Sequence, residues 1–336
     1  SNASQSDNTK GRYFDTLVSD TLDEISPSKL SEISDGDVEK MLDTSLEMFA
    51  QQVKEADTDK ETEKAYYDKK AEDLRNIASE SAEAKSMLSE LEIPATMENL
   101  EAAVNYIENS YSPLKESYKR KNVLDNDERE EFDEVIDSVA DALDSEESIQ
   151  KKCKQAEKYM EDILNKSYEQ HDADYEDLEN LMTLSKGINL NILMTERRSY
   201  DIPIKTGDTI TNMNVTLIVN GDEKGKVKVS ISGNDTDSDE VSALGDVSVE
   251  LKVTGDALKG YVCAGERQGY ELLKDSSESL LEELKADGFD VKNISYGMNR
   301  VSRTDGFAAG ESNADTSKLY KAAKIVTAHL VSVIKQ

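Results

Sequence analysis

The spacing of the apolar residues changes once along this chain, close to Pro203. Before that point apolar residues recur three and four positions apart, which is the period of a helix with one buried face. After it they alternate with polar residues, which is the period of a strand with one buried face. The two periods predict an all-helical bundle followed by a small α+β domain.

Residues 11–200 contain the helical patterns, and residues 1–10 are interpreted as a tag scar and a disordered start. Each apolar stripe covers only one face of its helix, so the helices must pack on one another. Acidic residues dominate this half, which predicts an acidic bundle. The predicted helices cover 37–53, 58–77, 96–107, 126–143, 153–164 and 175–196.

Residues 201–298 are predicted to form the α+β domain, because short alternating segments are separated by turn residues such as Asn220-Gly221-Asp222. We expect a mixed or antiparallel sheet against which one Leu-rich helix packs. The predicted strands are 211–219, 226–231, 247–253, 258–263 and 291–296, and the predicted helix is 270–284.

Residues 299–315 have the Gly, Ser, Asn and Ala composition of a flexible linker, and 316–336 then form a C-terminal amphipathic helix. That helix carries lysines and no acidic residue, so it can bind a membrane surface, bind a partner, or dock on its own acidic bundle. We favour docking on the bundle, which offers opposite charge and apolar grooves. The candidate contact residues of this tail are Leu319, Val326, Leu330, Lys318, Lys321 and Lys324.

The net charge of the chain excludes two classes of partner as defaults. It has 40 Lys and Arg against 71 Asp and Glu, a formal charge of −31. A strongly anionic surface repels nucleic acid and anionic membranes. No uncharged apolar run approaches the roughly 20 residues that span a bilayer. We therefore expect a cytoplasmic protein without nucleic acid, and with peripheral membrane contact at most.

The residues that could carry catalysis or bind a metal are few. Asp235, Asp237 and Asp239 have the first spacings of a calcium loop, but the required Gly and bidentate Glu are missing, so a solvated acidic loop is the better interpretation. His171 lies in a charged stretch, and the two cysteines are far apart. We expect no enzyme, no cofactor, no metal and no small-molecule substrate. A weaker alternative is a hydrolase that uses clustered carboxylates of the bundle.

Residues 205–298 resemble the C-terminal domain of the flagellar hook-length control (FliK) family in the order of their elements. A Leu-Gly-x-Val-x-Val-x-Leu strand is followed by a second strand, a Leu-rich helix and a last strand. Ser242-Ala243 replace the proline that often precedes this motif, and the helical half differs from the family's Pro- and Gln-rich region. The residues that match the motif are Leu244, Gly245, Val247, Val249 and Leu251.

The resemblance implies a non-enzymatic function. Proteins of that family switch the substrate specificity of flagellar type III secretion from hook to filament components by contact with the cytoplasmic domain of the export gate. It implies the gate and hook components as partners, the five motif residues as contact candidates, and a bacterial cytoplasmic protein that can itself be exported. The alternative is a helical scaffold or interaction protein with no export role.

Overall fold

The computed structural model describes residues 82–93, 97–108, 111–170, 175–233, 244–298 and 313–335, with single positions at 61, 65, 68 and 72. The helices predicted at 37–53 and 58–77 lie outside these ranges, apart from the single positions. The disordered start, most of the linker, the Asp235–Asp239 loop and His171 lie outside them too.

Nine α-helices are present in the described residues, and two short 3₁₀ turns, Lys121–Val123 and Ala140–Ala142, flank one of them. Helix α4 shows why such segments begin where they do, because Asp125 and Glu128 form a reciprocal capping box at its start. The helices are α1 Ala82–Glu90, α2 Met97–Glu108, α3 Pro113–Lys119, α4 Asn126–Ser138, α5 Glu146–Tyr168, α6 Tyr175–Glu196, α7 Arg267–Asp275, α8 Ser277–Ala286 and α9 Ser317–Ile334.

One six-stranded sheet runs in the order β1-β2-β3-β4-β5-β6. Neighbouring strands are antiparallel except β5 and β6, which are parallel and joined by α7 and α8. Helices together with a mixed sheet confirm the α+β class for the described residues. The strands are β1 Ser199–Thr206, β2 Thr209–Gly221, β3 Lys224–Ile231, β4 Val247–Thr254, β5 Ala257–Ala264 and β6 Asp290–Gly297.

Contacts divide the described chain into two compact units. The first contains the described residues up to Glu108 together with Glu161–Leu190, and within it α1 packs on α2. The second contains the described residues of Asn109–Met160 and Asn191–Gln336, and therefore the whole sheet.

This division differs from the domain boundary that we predicted near residue 200. Val139 and Leu143 from the helical half share one hydrophobic core with Tyr200 and Ile202 of β1. An amphipathic helix only needs an apolar surface to cover, and here the sheet supplies that surface for part of the helical half. The change of period therefore marks the end of a helix and the start of a strand.

One face of the sheet is closed by helices and is called the covered face. In β3 and β4 its residues are the alternate positions that include Val227, Val229, Val249 and Leu251, all buried. Helix α9 contacts β3, β2 and β4, and residues of α7 and α8 share the same core. Eleven of the 18 residues of α9 are buried.

A buried pair of tyrosines joins the covering helix to the edge strand. The hydroxyls of Tyr200 in β1 and Tyr320 in α9 lie 2.6 Å apart, and neither side chain is exposed. Burial raises the pKa of both hydroxyls, so both stay protonated and one can donate to the other. This hydrogen bond satisfies two polar groups that would otherwise be buried without partners.

The helices α1 and α3 and the strand β1 were not predicted, and one predicted helix is divided in the structure. The strand β1 was missed, because it follows a helix directly and contains Pro203, which only an edge strand tolerates. The helix predicted at 270–284 is two helices. Ser276 breaks it with φ −85° and ψ 0°, and its hydroxyl donates to the carbonyl of Leu273.

Candidate functional site

The motif residues of the predicted contact strand are part of the core. Leu244, Val247, Val249 and Leu251 are each at most 2% exposed, and β4 is hydrogen-bonded to a strand on either side. Neither these side chains nor the strand's backbone is free to contact a partner in this structure.

Gly245 and its neighbours have a packing role. Gly245 has a φ of +71°, and a Cβ there would lie 2.6 Å from the side chain of Glu266. A Cβ on Gly269 in α7 would lie 2.0 Å from the Leu244 carbonyl oxygen. The Leu-Gly pair therefore forms a tight turn against which α7 packs closely.

The apolar candidates of the C-terminal helix are buried against the sheet. Leu319, Val326 and Leu330 are each at most 1% exposed. We expected this helix to dock on the acidic bundle, but it covers β3 and its neighbours instead. The physical reason is area, because the alternating strands present a wider apolar surface than a charge-matched helix face.

The basic candidates of the same helix form ion pairs around its edge. Lys318 lies 2.5 Å from Asp256, Lys321 lies 3.7 Å from Asp287, and Lys324 pairs with Asp144. Asp144 comes from the helical half, so part of the expected charge match is present. These lysines hold α9 against its own unit and leave little charge for another partner.

A serine, a histidine and a glutamate meet where α8 packs on α9. Ser276 Oγ lies 3.1 Å from His329 Nε2, and Glu283 Oε1 lies 3.6 Å from His329 Nδ1. A catalytic triad needs an accessible nucleophile and a base held by a hydrogen bond. Here the imidazole is 3% exposed, its Nδ1 has no hydrogen-bond partner, and the serine hydroxyl donates to Leu273. These three side chains therefore serve the packing of α8 on α9.

The two cysteines are buried and unbonded to each other. Burial, together with the carboxylates of Glu157 and Asp201, raises the pKa of the Cys153 thiol. A thiol that stays protonated is a poor nucleophile and a poor metal ligand. Cys153 therefore serves as a small apolar side chain of the core.

Among the described residues, helices cover the opposite face of the sheet over β1 and β2 but not over β3–β5; we call the latter part the open face. On β2, Asn212, Asn214 and Ile218 are buried, and α3 contacts both β2 and β1. On β4, by contrast, Glu250 is half-buried and Lys252 is exposed.

Three lysines lie directly opposite one another across the open face. Lys226 of β3 pairs in register with Lys252 of β4, which pairs with Lys259 of β5. We call these three residues the lysine row. Glu250 lies 3.2 Å from Lys226 and 3.8 Å from Lys228. Lys252 and Lys259 are exposed and form no ion pair with any residue that the structure describes.

The sequence interpretation did not single out the lysine row. Its signal was the run of lysines at the polar positions of successive strands in a chain that is otherwise acidic. Lysines opposite each other on neighbouring strands repel and destabilise the sheet. A surface that costs stability and does not contribute to the core is a candidate for binding.

Among the residues that the structure describes, no group of three or more His, Cys, Asp and Glu residues could hold a metal ion. Within the same ranges, no helix combines the length and apolar character needed to cross a bilayer. Comparisons with protein-family models, with curated proteins and with solved structures find no match to this chain.

Proposed function

We propose that this chain is a non-enzymatic interaction protein that binds a partner protein through the open face of β3–β5. The observation that carries this proposal is the lysine row, in which Lys252 and Lys259 are exposed, lie opposite each other and have no ion-pair partner among the described residues. Helices cover the other face of the same strands and form the core there, so the residues of the open face are not needed for folding.

The surroundings of the reactive side chains support a function without catalysis. Cys153 and His329 are buried in packing contacts, and Ser276 donates its hydroxyl proton to a backbone carbonyl. We further propose that the acidic helices of residues 11–200 keep the chain soluble in the cytoplasm through their net negative charge.

The proposal is tested by photo-crosslinking in cells that make the protein. Lys252 is replaced by p-benzoylphenylalanine, and the matched control carries the same residue at Lys285, which is also exposed but lies on α8. We expect an adduct of higher mass from position 252 and none from 285. No adduct at 252, or the same adduct from both positions, contradicts the proposal.

A second, narrower candidate is the hook-length control switch. The order of β4, β5, the helical connection and β6 agrees with the order on which that resemblance rests. Because the five motif residues are buried, contact with the export gate or with hook components would involve the polar positions of the same strands, such as Lys252 and Lys259.

This candidate is tested by deleting the gene in the bacterium that carries it and measuring hook lengths by electron microscopy. We expect overlong hooks without filaments, corrected by the wild-type gene but not by Lys252→Glu/Lys259→Glu. Hooks of normal length that carry normal filaments in the deletion strain would refute the switch and leave the general interaction role.

A further inference from the structure

Helix α4 also presents charged side chains without ion-pair partners among the residues that the structure describes. Asp127, Glu130 and Glu134 follow one another at steps of three and four residues, so they share one face of the helix. All three are exposed, and none forms an ion pair with any residue in the described ranges. We call these three residues the acidic stripe.

The rest of α4 attaches the helix to its own unit. Phe132 and Ile136 are buried, Asp133 lies 2.9 Å from Lys121, and Asp137 lies 2.8 Å from Lys205 of β1. The acidic stripe is therefore the part of the helix that remains after its packing and local ion pairs are satisfied.

The acidic stripe and the lysine row have matching lengths. The seven residue steps of helix from Asp127 to Glu134 span about 10.5 Å at about 1.5 Å per step. The lysine row crosses two strand spacings, or about 9.6 Å at about 4.8 Å each. A helix that lies across β3, β4 and β5 could thus bring three carboxylates onto three ammonium groups.

The two surfaces of one copy do not pair with each other. Helix α4 contacts β1, and Lys205 of that strand holds Asp137. The strand order places β1 two to four strands away from β3, β4 and β5, which is about 10–20 Å. Among the described residues, α4 of the same copy therefore does not supply the counter-charge for Lys252 and Lys259.

We propose that the open face binds a second copy of this chain, whose acidic stripe docks on the lysine row. This inference rests on the proposed function and names the partner of that face. Nucleic acid and anionic membranes fit less well, because an extended polyanion would also meet the remaining surface of a chain with a charge of −31. Salt screens that net repulsion beyond about 8 Å at physiological ionic strength, whereas ion pairs in direct contact are screened less.

A charge exchange between the two surfaces tests the inference on the full chain. One variant is Lys226→Glu/Lys252→Glu/Lys259→Glu, and the other is Asp127→Lys/Glu130→Lys/Glu134→Lys. Self-association is measured by analytical ultracentrifugation at about 0.15 M salt. We expect the wild type to dimerise and each variant alone to dimerise at least about tenfold more weakly, because like charges then face each other.

The decisive sample is an equal mixture of the two variants. In the mixture every glutamate row finds a lysine stripe and every lysine row finds an acidic stripe, so we expect the association to return. The matched control is Lys151→Glu/Lys154→Glu/Lys158→Glu, three exposed lysines of α5. It has the same net charge as the first variant and should dimerise like the wild type.

Several results would overturn the inference. They are a wild type that stays monomeric up to about 1 mM, a mixture that does not associate, or a control that weakens dimerisation as much as the row variant does. A monomeric wild type that binds an oligonucleotide or phosphatidylserine vesicles through Lys252 and Lys259 would assign those anions to the row instead. A monomer that still forms an adduct with a different protein from position 252 in cells would keep the proposed function and remove the second copy.

Discussion

The two faces of strands β3 and β4 contrast sharply although they alternate along the same residues. Val249 lies under a helix and is 2% exposed, while Lys252, three residues later, is exposed. The covered face is shared by strands and helices from distant parts of the chain, and the open face carries lysines that repel one another. The comparison shows that residues of the covered face stabilise the fold, whereas residues of the open face remain available for binding.

Removal of the helix that covers the sheet should have the largest effect. A chain that ends at residue 315 loses seven large buried apolar side chains of α9, worth about 1.5–3 kcal/mol each. That sum, roughly 10–20 kcal/mol, is as large as or larger than the whole free energy of unfolding of a typical domain, about 5–15 kcal/mol. We expect the strand signal in circular dichroism to be lost. The control, which lacks only residues 335–336, should fold, and a truncated chain that unfolds cooperatively would show that α9 is dispensable.

A charge placed on either face of β4 should distinguish the two faces directly. Val249→Asp buries a carboxylate without a partner, which should lower the free energy of unfolding by several kcal/mol. Lys252→Asp, on the open face of the same strand, should change it by less than about 0.5 kcal/mol. Urea unfolding measures both. Equal effects of the two substitutions would mean that the faces do not differ as the structure describes.

The tyrosine pair tests the attachment of the covering helix to the edge strand. Tyr320→Phe leaves the Tyr200 hydroxyl buried without its 2.6 Å partner, and we expect a loss of about 1–3 kcal/mol. Tyr200→Phe/Tyr320→Phe removes both polar groups and should recover part of that loss. Thermal unfolding of the single and double variants measures the coupling, and strictly additive losses would count against the hydrogen bond.

The smallest expected effect is a pH dependence of the free energy of unfolding that arises from His329 on the covered face. Burial lowers the pKa of His329 below its usual 6.5, against an opposing effect of Glu283. The unfolded chain thus takes up this proton at a higher pH than the folded chain, so stability falls as the pH drops below about 6.5 toward the folded pKa. Above that range this group contributes no pH dependence.

His329→Gln keeps a side chain that can hydrogen-bond Ser276 but removes the titration. Urea midpoints at pH 7.5 and 5.5 should therefore differ less in this variant than in the wild type. All other groups are common to both proteins, so their contribution cancels in the comparison. An equal drop in both proteins would assign the pH dependence to other groups.

Much of the local structure followed from patterns over short stretches. The predicted strands at 226–231 and 247–253 match β3 and β4 to within two residues, and the helix at 175–196 matches α6. Period and capping are properties of neighbouring residues, so they are readable without a fold. The missed strand β1 and the break at Ser276 depend on pairing and packing with residues far away in the chain.

The candidate site was less predictable. Val247, Val249 and Leu251 were correctly placed on one buried face of a strand, but α9 covers that strand, and alternation cannot tell a core strand from a contact strand. The lysine row depends on register, because Lys226, Lys252 and Lys259 become neighbours only when three strands pair as they do.

The sequence alone determined most of the segments that are helices or strands and which side of each is apolar, because those properties depend on residues within a few positions. The tertiary structure decided what covers each apolar side. It brought α9 and part of the helical half onto the sheet and left the lysines of β3–β5 open. Burial of apolar area stabilises packing on any sufficiently large apolar surface, so amphipathic pattern and charge do not specify which segment covers which face. Only the shape of the folded unit does.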